Sequence, residues 1–143
     1  MIRSLTAGLV LATLLGGAAF AETIEVQMLN RGSDGDRMVF EPSFVNAQPG
    51  DTIKFIATDK GHNAETVADM IPEGTEGFKG KINEEIEITL DKEGLYGVIC
   101  KPHYAMGMVM TIAVGDVDGT GDYLEGRIPR KAKERFEAQT SDL

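Results

Sequence analysis

One cysteine and two histidines are all that 143 residues provide of these types, and basic side chains are outnumbered, 14 against 23 acidic. Each shortage excludes something. A single thiol makes no disulfide within the chain. Two imidazoles cannot furnish a centre that needs three or more. A formal charge of −9 leaves little basic surface to displace counterions from phosphates, which argues against a nucleic-acid binder. Beyond the N-terminus no apolar run is long enough to span a bilayer. What is present, 42% hydrophobic and 26% charged residues, is the composition of one globular domain with a real core.

Residues 1–21 read as an export signal. Arg3 is the only charge there, an apolar run from Leu5 to Leu15 follows, and small residues lead to Ala19-Phe20-Ala21, the small-x-small pattern of signal peptidase. A membrane anchor is the competing reading, but the stretch is at the short limit for spanning and rich in glycine and alanine. The expected product is a soluble exported chain, residues 22–143, of 143 − 21 = 122 residues, without a membrane anchor and with a charge of −10 once Arg3 is lost. In an oxidising compartment a lone thiol is a liability unless it is buried, paired or bound, which draws attention to Cys100.

The rest alternates as β structure does. Ile24, Val26 and Met28 share a face in Thr23–Leu29; Ile53, Phe55 and Ala57 do so in Thr52–Ala57, and Ile86, Ile88 and Leu90 in Glu84–Leu90. Gly94–Cys100 and Met108–Val114 are almost continuously apolar, as strands covered on both faces are. Turn signals separate these runs, among them Gly32-Ser33-Asp34-Gly35 and Pro49-Gly50-Asp51. The pattern predicts an all-β sandwich or barrel. After Val114 an acidic connection leads to Pro129–Ala138, where proline in the first turn and Ala132 and Phe136 four apart predict a short C-terminal helix, preceded by a turn of helix near Tyr123. Asp116, Asp118, Thr120, Gly121 and Asp122 imitate the start of a calcium loop, but Arg127 stands where the bidentate glutamate belongs, so the segment reads as a solvated linker.

The chemistry is concentrated in Cys100-Lys101-Pro102-His103-Tyr104-Ala105-Met106-Gly107-Met108, between two apolar strands, with His62 in a separate turn after Gly61. Singly, these are ordinary residues: a small core cysteine, a surface histidine, a methionine filling space. Together they are the ligand set of a mononuclear electron-transfer copper site, two imidazoles and a thiolate with a weak thioether. Thiolate and thioether suit Cu(I), imidazole is accepted by Cu(II), and a compromise geometry leaves little to rearrange when an electron arrives. Other classes fit less well. A cysteine hydrolase would leave Met108 without a role. A structural zinc module would draw four ligands from cysteine and histidine, and only three such residues exist. A copper oxidase or reductase needs a second, histidine-rich site. A copper-delivery protein is the nearest rival, although transfer demands an exposed, exchangeable site.

The set His62, Cys100, His103 and Met108, with Asn63 after the first histidine and Pro102 before the second, resembles the blue copper cupredoxins. Gly61-His62-Asn63, Asp69-Met70-Ile71-Pro72-Glu73-Gly74 and the loop from Pro102 to Met108 are similar to the pseudoazurin family within them, over residues 22–143. The resemblance implies a Greek-key β-sandwich with a short C-terminal helical extension: a single plastocyanin-like copper-binding domain, holding one copper that cycles between Cu(I) and Cu(II). It implies a monomeric periplasmic electron carrier and not an enzyme, with copper nitrite reductase or c-type cytochromes as redox partners. It also implies that Asn63 ties the two ligand loops together and donates its backbone N–H to the Cys100 sulfur, and that Met38 and Met106 rim the edge of His103. Lys101, Gln27, Ala57 and a longer turn before Met38 depart from the family pattern without touching a ligand.

Overall fold

The computed structural model describes residues 20–143, so the expected export signal lies, except for its last two residues, outside the described residues. Eight strands follow in chain order: β1 (Thr23–Arg31), β2 (Arg37–Glu41), β3 (Phe44–Ala47), β4 (Asp51–Ile56), β5 (Glu65–Thr66), β6 (Ile86–Leu90), β7 (Gly94–Ile99) and β8 (Val109–Val114). They form two four-stranded sheets, ordered β2-β1-β4-β6 and β3-β8-β7-β5. The chain crosses between sheets after β2, β3, β4, β5 and β6, and closes with the β7–β8 hairpin. β1 runs parallel to β4 and β3 parallel to β8, with the remaining pairs antiparallel.

The alternating strands put their apolar sets between the sheets. Met28, Phe40, Ile53, Phe55, Val98 and Ile112 are buried there together, and Phe40 meets Phe55 edge-to-face at 6.0 Å. The continuous apolar runs have a second reason. Every residue of β8 is buried, because a second cluster covers the outer face of its sheet: Ile99, Val109 and Ala113 pack beneath Tyr123, Ala132 and Phe136. The last two belong to α1 (Arg130–Gln139), where the spacing of four places both on the inner face. Burial is what holds this arrangement. Among the described residues the one ion pair is Arg130–Glu134, on the surface and worth little.

The expected all-β sandwich with a C-terminal helix is the observed fold. Three strands escape the periodicity argument: β3 and β5, four and two residues long, are too short for a period of two to stand out, and β2 places Met38, Val39 and Phe40 in a row without alternation. Tyr123 lies in hydrogen-bonded turns and not in a helix, its N–H donating to Thr120 O at 3.0 Å.

Asp51, at the start of β4, is buried, and its carboxylate accepts the N–H of Glu22 at 2.8 Å and of Gln48 at 2.7 Å. These bonds, from Glu22 first, hold its carboxyl below the usual range. A depressed folded pKa stabilises above the unfolded value, about 3.9, and that contribution is lost as pH falls through the folded value. Asp51→Asn is therefore expected to unfold in less urea than the wild type at pH 7, with the gap closing towards pH 3. A gap that stays constant with pH would refute the assignment.

Candidate metal centre

The loop after β7 folds back on itself within nine residues. Cys100 N–H donates to Met108 O at 3.0 Å and Met108 N–H to His103 O at 3.1 Å, so both ends of the loop are paired. Between them Lys101–Met106 forms a short 3₁₀ segment, with Pro102 in its first turn where no N–H is needed. Gly107 ends it at φ +90°, a left-handed conformation that glycine takes without strain. His62 is presented from the other side by a turn whose Gly61 also has positive φ and donates its N–H to Asn83 Oδ1 at 2.7 Å.

These two loops bring His62, Cys100 and His103 together, with all three ligand-competent atoms within 4.8 Å of one another. His62 Nδ1 is 3.1 Å from His103 Nδ1 and 3.7 Å from Cys100 Sγ, and Cys100 Sγ is 3.4 Å from His103 Nδ1. A first-row ion about 2.0–2.3 Å from each atom would span triangle edges of about 3.5–3.8 Å. The observed edges are within a few tenths of an ångström of that, so the residues fit one such ion. Met108 is fully buried where the loop rejoins β8, while Met106 stays 44% exposed and Met38 is half-buried against the core. Among the described residues no other group of three or more such side chains converges, and the acidic turn around Asp116–Asp122 follows a strand, β8, and not the helix that a helix–loop–helix calcium site has.

The electrostatics leave His62 and Cys100 neutral before metal arrives. Burial first, then the neighbouring His103, lowers the His62 pKa, with Asp59 opposing, so His62 is neutral at pH 7. Its Nε2–H donates to Asn30 Oδ1 at 2.8 Å, which leaves the lone pair on Nδ1, facing Cys100 and His103. Burial pushes the Cys100 thiol up. The backbone N–H groups of Asn63 and His103 near its sulfur pull the other way, and the nearby Glu65 carboxylate adds to the rise. Without metal the thiol is protonated at neutral pH, and a metal ion must displace that proton.

Asn63 stands where the sequence placed it. Its Oδ1 accepts the Lys101 N–H at 2.7 Å, tying the His62 turn to the Cys100 loop, and its Nδ2 donates to Glu65 Oε2 at 2.9 Å and Gly80 O at 3.1 Å. Lys101 takes part through its backbone, so its departure from the family pattern leaves this contact intact. Three participants carry no sequence signal. Asn30 reaches His62 across 32 residues, Glu65 is a buried carboxylate under Asn63, and Arg135 bonds Gly107 O from α1.

Two four-stranded sheets with a Cys–His–His cluster on the loops after β4 and β7 define a cupredoxin. Residues 26–115 match the model of the copper binding proteins of the plastocyanin/azurin family. The chain is 47% identical over 142 residues to a pseudoazurin of Paracoccus pantotrophus, covering 99% of this chain and 97% of that one. Among solved structures, a Sinorhizobium pseudoazurin is 44% identical with a TM-score of 0.79, covering 85% of this chain and 95% of that chain. Another, from Methylobacterium extorquens AM1, is 39% identical with a TM-score of 0.76, covering 83% and 97%. The chain belongs to the pseudoazurins, within the copper-binding plastocyanin/azurin family.

Proposed function

We propose that this chain is a periplasmic electron carrier in which His62 Nδ1, Cys100 Sγ, His103 Nδ1 and the Met108 thioether hold one copper ion. The convergence of His62, Cys100 and His103 within 4.8 Å carries the reading. When bound, the copper would supply a one-electron couple, Cu(I)/Cu(II). The protein's part is to hold its donors still. Asn30 fixes the His62 ring, Asn63 locks the two loops, and backbone N–H groups partly neutralise the thiolate, which tunes the potential. Burial of His62, Cys100 and Met108, each with no exposed surface, supports a resident metal over one handed on by exchange. His103 is only half-buried, beside exposed Pro102 and Met106, and gives the route by which an electron enters or leaves.

Titrating Cu(II) into the apo-protein tests this. The expected result is one equivalent bound, with an intense visible thiolate-to-copper band that vanishes on reduction. A pale tetragonal spectrum would refute it.

The domain begins at Glu22 in this reading, with cleavage after Ala21. That cut would leave the new α-amino group at the Glu22 nitrogen, which already donates to the buried Asp51 carboxylate at 2.8 Å. No described helix is long and apolar enough to cross a membrane.

The partner is a redox protein with an acidic docking face, copper nitrite reductase or a c-type cytochrome, met by a monomeric carrier. Lys79, Lys81 and Lys101 surround a shallow hollow with Ile82 and Pro102 beside the ligand loop, and Ile82 is 48% exposed. Lys60 is exposed two residues before His62. Charge separation is incomplete, since Glu84 Oε2 accepts the Lys81 N–H at 2.6 Å within the same region. The basic end still steers the chain copper-first in a small, transient contact, where charge acts mainly on association rate. Converting Lys60 and Lys101 to glutamine is expected to slow electron transfer several-fold at low salt and flatten its ionic-strength dependence, with the copper spectrum unchanged. Faster transfer would show that net charge governs docking.

A further inference from the structure

The guanidinium of Arg135 is committed to backbone carbonyls and to no carboxylate. Its Nη1 donates to Met38 O at 2.6 Å and Gly107 O at 2.7 Å, and its Nη2 donates to Arg37 O at 2.9 Å. Two separate pieces of chain meet on it, the start of β2 and the end of the ligand loop. The packing is close: a Cβ added at Gly107 would lie 3.1 Å from Arg135 Cδ and from Lys131 Cγ.

The position of Gly107 gives this contact its meaning. Gly107 C=O and Met108 N–H are the two polar ends of one peptide unit. Arg135 holds the oxygen, and His103 O accepts the N–H at 3.1 Å. That peptide is pinned at both ends immediately before Met108. The helix has no need of Arg135 for its own attachment, because Ala132 and Phe136 are fully buried and Gln139 reaches Val109 O at 3.0 Å and Thr111 at 2.9 Å.

We infer that Arg135 is a positioning residue of the metal centre: α1 uses its guanidinium to fix the Gly107–Met108 peptide and so the place of the Met108 thioether. The inference rests on the proposed role of Met108 as the weak fourth ligand. A charge-assisted, planar donor bridging three carbonyls resists rotation of that peptide better than a point charge does. Holding it limits how far the thioether travels between oxidation states, which keeps electron exchange fast.

The test compares Arg135→Met, Arg135→Lys and Tyr123→Phe in the full mature chain. Tyr123 OH meets Thr111 at 2.9 Å beneath α1 and makes no contact with Gly107, so its loss weakens helix packing alone. In the apo-protein, exchange of the Met108 amide hydrogen is expected to quicken about tenfold or more in Arg135→Met, by a smaller factor in Arg135→Lys, and to match the wild type in Tyr123→Phe. In the copper-loaded protein, electron self-exchange should fall about tenfold in Arg135→Met and stay unchanged in Tyr123→Phe. Wild-type amide exchange and self-exchange in Arg135→Met would overturn the inference and leave Arg135 a helix anchor. Should Arg135→Met not fold, unchanged values in Arg135→Lys overturn it equally. A wild-type protein that takes up copper without the intense band would instead sink the copper reading, while the apo amide exchange still decides whether Arg135 pins the peptide.

Discussion

Replacing Cys100 with serine will abolish the intense visible band and cut copper affinity by more than a hundredfold. The band requires a sulfur-to-copper transition that no hydroxyl supplies, and serine offers Cu(I) no soft donor. Disturbing groups that only support a ligand typically costs about 10–100-fold in affinity, so removing a ligand itself should exceed that range. The apo fold should survive. Cys100 is fully buried, but the Asn63 backbone N–H near its sulfur can serve the serine oxygen, which limits the cost to about 1–2 kcal/mol. Proton counting adds an independent check. Because burial keeps the apo thiol protonated at neutral pH, copper uptake by Cys100→Ser should release about one proton fewer than uptake by the wild type. Calorimetry in buffers of different ionisation enthalpy measures this directly. An intense band in Cys100→Ser, or equal proton release, would refute the assignment of Cys100 as the thiolate ligand.

The residues that converge at the centre were legible because they are scarce. With one cysteine and two histidines in the chain, a common destination for all three left few arrangements to weigh, and the structure brings them within 4.8 Å. The long strands were legible for a different reason. β1 and β4 each bury alternate residues, so the period of two is visible over five or more positions. In β7 and β8 that period is lost, because Met70, Tyr123 and α1 together cover the face that solvent would otherwise wet.

What the sequence hid was held in pairings between distant residues. Asn30 is an exposed residue near the end of β1, and only the fold sets its amide 2.8 Å from His62 Nε2. Glu65 lies in a two-residue strand with no periodicity to betray its burial. Arg135 looks like any charge on an amphipathic helix, yet its partners are 28, 97 and 98 residues away. The closeness of Glu84 to Lys81, beside the ligand loop, was hidden as well.

Asn63→Ala is expected to lower stability by about 3–5 kcal/mol. The side chain makes three hydrogen bonds, and its loss leaves the Lys101 N–H, the Gly80 carbonyl and the Glu65 carboxylate without it. A neutral bond contributes about 1 kcal/mol and one to a charged group about 1.5–3, with a further cost when the abandoned partner is buried, as Glu65 is. At about 4 °C per kcal/mol for a domain of this size, the melting temperature should fall by about 12–20 °C. Asn63→Asp separates the contributions. Its carboxylate can still accept the Lys101 N–H, but it faces Glu65 where Nδ2 donated, so two like charges share one buried site. Such a pair raises the pKa of at least one member above its unfolded value. The linkage is then opposite to that of Asp51: protonation relieves the repulsion, and the penalty shrinks as pH falls. Asn63→Asp should therefore lose more stability at pH 8 than at pH 5, whereas the deficit of Asn63→Ala should show no such recovery. Urea unfolding of both apo-variants at the two pH values decides it. A drop below about 1 kcal/mol in Asn63→Ala would mean that the two ligand loops hold together without this residue, through the neighbouring pairing of β5 with β7.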